Sequence, residues 1–588
     1  RAGDATDTDA VEHRLPVLKR RSLEVAAQYG SLTSGTVRDP IVVPPNALPD
    51  SSEVSVVLSP TVIGNIDGAF RYLRDYPYTC WEQKLTKGAM AAHYDALKAR
   101  LDPSVEWPGS DELPDTTLAQ AASYQAPNGG MTYFVPDDRN VSPYLSAYTA
   151  LAFTWLRRAG FQPPASVESR LQDYLKNLLR RDDVPDFYSR NMSATVRAVA
   201  LNALASQGQV GTEDLIRYES HLPYMDLFGT ANYMEAALTL GGSPELVDKA
   251  VNQVLARSST TGGKLTFNDD VDDGFRRILT TPLRSNCAVL SALTRVDDLT
   301  RFGLGDAPMA MTRAITQSRG ARDHWENTQE NMFCMNALVD YARRFEHETP
   351  DLRASVTLED RSMGEATLQG FGAKPRTFST PIAPDEVGPG AEVAVTAQGV
   401  GRLYYSTRLT YAPRAEDLER VNAGIDIRRE YAVQRNGQWV LLTDPATVER
   451  GELVRVDLFL ALPTARNFVV VDDPVPGGLE PVNRDLATTS GVDANAGDFV
   501  AAGGSYWFSS GDWNAYGFSR WSFYHRELGH AAVRFYSDYL RPGRYHLSYT
   551  AQAIAAGTFQ VPPTQASEMY DPDVYGKTLP LSLEVSQP

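Results

Sequence analysis

At 588 residues and 64.6 kDa the chain is too long for one hydrophobic core, and at roughly 100 to 200 residues per domain it divides into several. Its 43% hydrophobic and 22% charged residues are those of a folded globular chain, and no run of about 18 apolar residues calls for a membrane-spanning helix. A net charge of −17 and a pI near 5.0, without any cluster of Lys or Arg, exclude a phosphate-tracking surface; proteins or small molecules are the expected partners, and nucleic acid is not.

The opening, RAGDATDTDAVEHR, has neither an initiator Met nor the order of a signal peptide, which reads as a start inside a longer precursor. The first fifty residues then carry short β-like runs (SLEVAAQYG, DPIVVPP), and SEVSVVLSP alternates as a strand does. From about Ile63 the pattern turns helical. Segments rich in small and apolar residues begin at Leu145, Ser193, Asn232, Ser285 and Asn331, with successive starts 48, 39, 53 and 46 residues apart. That loose period suits one helical hairpin per unit, and its Ala, Ser and Gly content favours a closed ring of hairpins over an open superhelix.

After RRFEHETPDLRAS the chain alternates in short stretches such as AEVAVTAQG, RLYYSTRLTY, LVRVDLFLAL and RYHLSYTAQA, separated by turn sequences, as in antiparallel sandwiches. The stretch from Asn483 to Trp507 reads as a mobile loop. The predicted fold is multidomain α + β: an α/α toroid of helical hairpins inserted in a β-sandwich, followed by a C-terminal antiparallel β-sandwich. The expected domains are 1–50 (first part of the sandwich), 51–349 (helical), 350–400 (second part) and 401–588 (C-terminal sandwich).

Three cysteines, Cys80, Cys287 and Cys334, are too few for a disulfide framework and have no zinc-like spacing. Cys287 and Cys334 fall in helical segments as core residues, and a bond between them stays open. FNDDVDDGF from Phe267 hints at calcium, but the EF-hand pattern fails at Val271, so a solvated acidic loop is the reading and no metal or cofactor is called for. Cys80 stands in YPYTCWEQ. At the start of a helix C-x-x-Q puts Cys80 and Gln83 on one face, where a thiolate could attack the carboxamide, expel ammonia and leave an internal thioester. A helix N-terminus would lower the thiol pKa and stabilise the oxyanion, and Tyr76, Tyr78 and Trp81 could keep water out. The other reading of the tetrapeptide is a cysteine that merely packs among aromatics.

YPYTCWEQ closely resembles the Tyr-Pro-x-Gly-Cys-x-Glu-Gln motif of the α2-macroglobulin and complement thioester family, and of its bacterial members above all. YLSAYTALAF from Tyr144, NGGMTYF before it, HWENTQENMFCMNAL from His324, and RLYYSTRLTY, GIDIRREY, VPGGLEP, RPGRYHLSY and SEMYDPDVYG resemble further bacterial segments in order, over essentially the whole chain. The chain departs from the pattern at Thr79, where Gly is usual, and at Trp81, where bacterial members often have Leu.

The resemblance implies a C-terminal, thioester-bearing part whose helical domain is a toroid held in a CUB-like sandwich, with a receptor-binding-like or macroglobulin-like C-terminal domain. Cys80 would supply the thiol and Gln83 the acyl group, Glu82 would be structural, and Tyr76, Tyr78, Trp81 and Met569 would shield the bond. The implied activity is broad-spectrum protease inhibition, not enzymatic turnover: bait cleavage exposes the thioester and a protease lysine attacks it. With no histidine between His93 and His221, amine attack fits better than a histidine-assisted route to hydroxyls. The implied location is the periplasm or cell envelope, beside cell-wall synthesis enzymes. The alternatives are a polysaccharide lyase or hydrolase on an α/α toroid and an unreactive binding module of the same fold.

Overall fold

The computed structural model describes residues 24–587 apart from 102–104, 182–183, 242, 262–263, 270, 306, 320–321, 389–390, 413–419, 437, 444–445, 483–498 and 501–521, together with 2–3 and 8–9. Strand Glu24–Leu32 pairs with Leu403–Tyr411, which pairs with Glu53–Ser59, and Arg376–Pro381 completes a four-stranded sheet. A second four-stranded sheet runs Gly35–Ile41, Ala391–Val400, Asp351–Leu358, Arg361–Gln369. Period-two alternation in Glu53–Ser59 turns Val54, Val56 and Leu58 into one core with Leu352, Val356 and Val393 of the second sheet. Both sheets therefore draw strands from either side of the helical stretch. By pairing, Glu53–Ser59 and Leu403–Tyr411 belong together, so the sheet edges fall after Ser59 and after Tyr411, past the 50/51 and 400/401 edges read from sequence. Alternation reveals a strand, but its partner lies across the helical stretch and leaves no local trace.

Six helices form the centre of the helical region: α1 (Trp81–Leu97), α2 (Pro143–Arg158), α3 (Arg190–Ser206), α4 (Leu227–Leu240), α5 (Pro282–Thr294) and α6 (Thr328–Phe345). Each packs on the next, and α6 packs back on α1. All five recurring segments lie on α2 to α6, and CWEQ opens α1. Their composition follows from their place: in α3 every residue from Met192 to Ala205 is buried, and the one charged side chain among them, Arg197, donates to the Leu178 and Arg181 carbonyls. A Cβ on Gly229 of α4 would meet the Thr195 backbone of α3 at 2.9 Å, so only glycine allows that approach. The outer helix Ala165–Arg180, by contrast, buries a single stripe of Val167, Leu171, Leu175 and Leu178.

Cys287 of α5 and Cys334 of α6 form a disulfide, closing the option left open by sequence. The C-terminal region builds two six-stranded sheets, one of which carries Arg466–Pro474, His525–Leu528, Ala532–Leu540, Gln565–Glu568 and Asp571–Lys577. Phe468, Val470, Tyr536, Met569 and Tyr570 of this region leave its own core and join that of the helices. The expected mobile loop at 483–507 lies outside the described residues except for 499–500.

The disulfide closes a 47-residue separation. The double variant Cys287→Ala/Cys334→Ala is expected to lose about 2–4 kcal/mol, seen as a lower thermal unfolding midpoint.

Candidate functional site

The chain enters α1 through extended residues Tyr76 to Thr79, and Cys80 is the N-cap, with φ −64° and ψ 164°. Gln83, the third helical residue, accepts the Cys80 backbone N–H on Oε1 at 3.1 Å, while the Gln83 backbone N–H meets the Cys80 sulfur. This is the reciprocal arrangement of a capping box, with thiol and carboxamide in the places usually held by hydroxyl and carboxylate or amide. Ordinary helix-start geometry thus brings the thiol and the carboxamide together. Cys80 is fully buried and Gln83 is 2% exposed; the Gln83 Nε2 donates to Met569 Sδ at 3.2 Å.

Glu82, between them in sequence, turns away into the helical core. Its buried carboxylate accepts from Thr86 Oγ1 (2.7 Å), Thr328 Oγ1 (2.9 Å), Gln329 Nε2 (2.6 Å) and Tyr570 OH (2.6 Å). Burial raises its pKa, and these four donors pull it back. The network continues through Tyr148 to Thr86 and through Tyr144 from Gln329 to the buried Arg284.

The Cys80 thiol departs from the sequence expectation. Burial foremost, then the charge of Glu82, pushes its pKa well above the ordinary cysteine value, and the Gln83 N–H opposes this too weakly to lower it. A helix start lowers a thiol pKa where water shares the site; here desolvation of the thiolate outweighs the helix end.

Tyr76 packs edge-on between Tyr72 (5.2 Å) and Tyr78 (5.3 Å), and Tyr78 meets Tyr536 at 6.2 Å with Arg534 over its ring. Trp81 is directed elsewhere: it stacks on Tyr124 at 5.3 Å and donates to Thr149 Oγ1 at 3.0 Å, inside the helical core. Thr79 is not among the residues of positive φ, and its hydroxyl donates to Glu527, a contact that glycine cannot make. Arg534 donates to the Pro77 carbonyl at 3.3 Å. Met569 is held by its backbone N–H on the Phe468 carbonyl at 2.9 Å, and Phe468 itself has φ +49°, a left-handed conformation that costs a non-glycine residue about 1–2 kcal/mol.

Sequence reasoning named Cys80, Glu82, Gln83, Tyr76, Tyr78, Trp81 and Met569, and missed Tyr570, Gln329, Glu527, Phe468 and Tyr133. Tyr570 adjoins Met569 and Gln329 lies in HWENTQEN, so both were within quoted motifs; Glu527 and Phe468 acquire their place only through docking of the C-terminal sheet. The acidic segment at 267–275 is not simply solvated: Asp269 pairs with Arg257 at 2.8 Å and accepts the Leu227 N–H at the start of α4. Among the described residues no group of His, Cys, Asp and Glu could hold a metal ion.

Beside Met569, the buried Glu568 lies 3.6 Å from Arg276 and 3.9 Å from Arg466, and Arg276 also pairs with Asp571. Burial raises the Glu568 pKa from 4.5 to about 7. A carboxyl that holds its proton more tightly when folded contributes stability below its unfolded pKa, and that contribution is lost as pH rises through about 7. Between about pH 5 and about pH 7.5, wild type is expected to lose on the order of 1–3 kcal/mol relative to Glu568→Gln, measured as diverging thermal midpoints.

A family profile for the bacterial alpha-2-macroglobulin MG10 domain matches residues 424–573. An alpha-2-macroglobulin homolog of Nostoc is 23% identical over 98% of this chain and 29% of its own length, so the chain spans under a third of that relative. Native alpha-2-macroglobulin from Escherichia coli, from domain MG7 to the C-terminus, superposes with a TM-score of 0.71 at 20% identity, over 96% of this chain and 82% of that one. Salmonella alpha-2-macroglobulin reacted with methylamine also gives 0.71, at 19% identity, over 96% of this chain and 34% of that one. The chain is therefore a relative of the bacterial alpha-2-macroglobulins: it carries their MG10 domain and shares the fold of their C-terminal part.

Proposed function

We propose that this chain is the reactive, C-terminal part of a protein that traps proteases covalently, acting once per molecule. In this reading the Cys80 sulfur bonds the Gln83 side-chain carbon, the C–N bond breaks and ammonia leaves, storing an electrophilic thioester under the C-terminal domain. The fold is read as an α/α toroid inserted in a β-sandwich and followed by a macroglobulin-like sandwich. Cleavage of a segment elsewhere in the precursor would release the cover formed by Met569, Tyr76 and Tyr78; a lysine amine of the protease then bonds the Gln83 carbon, and the Cys80 sulfur departs and regains its proton. Trp81 serves as an anchor of α1 rather than as part of the cover.

One observation carries this reading: the thiol and the carboxamide are sealed together at a helix start, each engaged with the other's backbone, with Met569 on the amide nitrogen. The Salmonella protein of the same fold has been reacted with methylamine, the small amine that this chemistry calls for. An envelope location agrees with the Cys287–Cys334 disulfide, since such bonds persist in oxidising compartments.

Intact mass tests the proposal. Fresh protein is expected about 17 Da below the mass of its sequence after allowance for the disulfide, methylamine is expected to add about 31 Da, and Cys80→Ala is expected to show neither change; full mass with a titratable Cys80 thiol would overturn it. If Met569 is the cover over the amide, Met569→Ala is expected to take up methylamine on the order of tenfold faster, the effect of about 1.4 kcal/mol, followed by mass against time.

A further inference from the structure

Met569 and Tyr570 form the tip of a hairpin, between the paired strands Gln565–Glu568 and Asp571–Lys577. The tip is what touches the site: Met569 Sδ accepts from Gln83 Nε2, Tyr570 OH donates to Glu82, and the Tyr570 carbonyl accepts from Asn327 Nδ2 at 2.9 Å. Behind the tip the hairpin is closed by Glu568 and Asp571, which stand opposite each other in the strand register. Two carboxylates directly opposed across antiparallel strands repel, and the pair is weakened unless a cation joins them.

That cation comes from the helical region. Arg276 donates to Asp571 and lies 3.6 Å from Glu568, so one guanidinium bridges both sides of the hairpin. Arg466, 3.9 Å from Glu568, belongs to the same sheet as the hairpin and does not join it to the helices. Arg276 sits in the 3-10 turn Asp273–Ile278, which ends the acidic segment of the sequence; Asp272 caps this turn by accepting the Gly274 N–H at 2.8 Å, and Phe275 and Ile278 are buried in the core of the helices. The Ile278 carbonyl accepts from Arg284 at 3.0 Å, and Arg284 leads through Tyr144 and Gln329 to Glu82. The neighbouring Arg277 lies over the rings of Phe187 (3.4 Å) and Tyr539 (4.6 Å), the latter on strand Ala532–Leu540. Two successive arginines of one turn thus grip the C-terminal sheet, on a base tied to the Glu82 network. A cavity of about 520 Å³, lined by Arg276, Glu330, Asn467, Glu568 and Asp571 among others, leaves the Arg276 side chain room to swing aside.

Building on the thioester reading, we propose that Arg276 is a positioning residue for that bond, an ionic latch that pins the hairpin and so keeps its tip on Gln83. While the guanidinium bridges Glu568 and Asp571, the hairpin stays closed and Met569 stays in place. When the bridge breaks, the two carboxylates repel, the hairpin loosens behind its tip, and Gln83 is uncovered more often. The side chains of Arg276 and Asp571 are 45% and 28% exposed, so water and salt reach the latch and it opens without unfolding of the helical core.

The test follows methylamine uptake by intact mass against time in wild type, Arg276→Ala, Arg276→Lys, Asp571→Asn and the double variant Arg276→Ala/Asp571→Asn, with thermal midpoints to confirm folding. Each is measured at about 0.1 M and about 1 M NaCl, between which the screening length falls from about 10 to about 3 Å. Arg276→Ala is expected to react about three- to fivefold faster than wild type, the scale of a partly exposed ion pair. Arg276→Lys, which keeps the charge, is expected to stay within about twofold of wild type, and the double variant to be no faster than Arg276→Ala. Wild type is expected to speed up at the higher salt and Arg276→Ala not to. Asp571→Asn, which removes the partner instead, is read in the same way if Arg276→Ala does not fold. Equal uptake by wild type and Arg276→Ala overturns the latch and leaves the thioester standing. Faster uptake shared by Arg276→Lys, or a salt response that survives in Arg276→Ala, overturns the latch in favour of a packing role. No mass deficit and no uptake in wild type overturns the thioester reading and the latch with it.

Discussion

The arrangement depends on burying one carboxylate. An unpaired carboxylate taken out of water costs several kcal/mol, and Glu82 has no basic partner among its hydrogen bonds to offset this. It is tolerated only because four donors meet it, and they come from three parts of the chain: Thr86 from its own helix, Thr328 and Gln329 from the first turn of α6, and Tyr570 from close to the C-terminus. The seam where α6 closes the ring on α1 and the contact where the C-terminal region reaches the ring are therefore one structure. Neither can be lost without leaving Glu82 short of donors, and the adjoining Cys80 and Gln83 share its fate.

Cys80 and Gln83 are accordingly enclosed from two sides, by Tyr76 and Tyr78 just before them in the chain and by Met569 from the C-terminal region. The helix start brings thiol and carboxamide together by local capping, through contacts made between residues 80 and 83. Exclusion of water needs Met569, Tyr536 and Phe468 from the C-terminal sheets, and Phe468 adopts a left-handed backbone to carry the Met569 N–H. Strain at that residue is held by packing against Tyr133 and Tyr570. Local forces prepare the pair, and long-range packing decides whether it is dry.

Legibility in the sequence divides along the same line. Inner helices could be read because full burial leaves an Ala-rich apolar signature in each segment, and strands such as Glu53–Ser59 because alternation is local. Cys80, Gln83 and Met569 could be named because a motif quoted from the chain contains them. Strand partners could not, since Leu403–Tyr411 joins Glu53–Ser59 across the whole helical region. The thiol's raised pKa was invisible because a tetrapeptide does not reveal how deeply it is buried, and the aromatic at Trp81 looked like a cover when its indole N–H is spent on Thr149. Tyr133 lies in the quoted segment NGGMTYF, yet nothing in that segment marks the carbonyl that takes the Trp81 N–H at the start of α1.

The separation of Gln83 from Met569 by 486 residues also has a meaning in time. A chain made at about 5–20 residues per second completes its last inner helix, ending at Phe345, roughly 11–45 s before Met569 is synthesised. Throughout that interval Cys80 and Gln83 stand at an open helix end in water. Any acyl bond made then would meet water without its cover, so the order of synthesis itself favours chemistry that waits for the last strands to arrive.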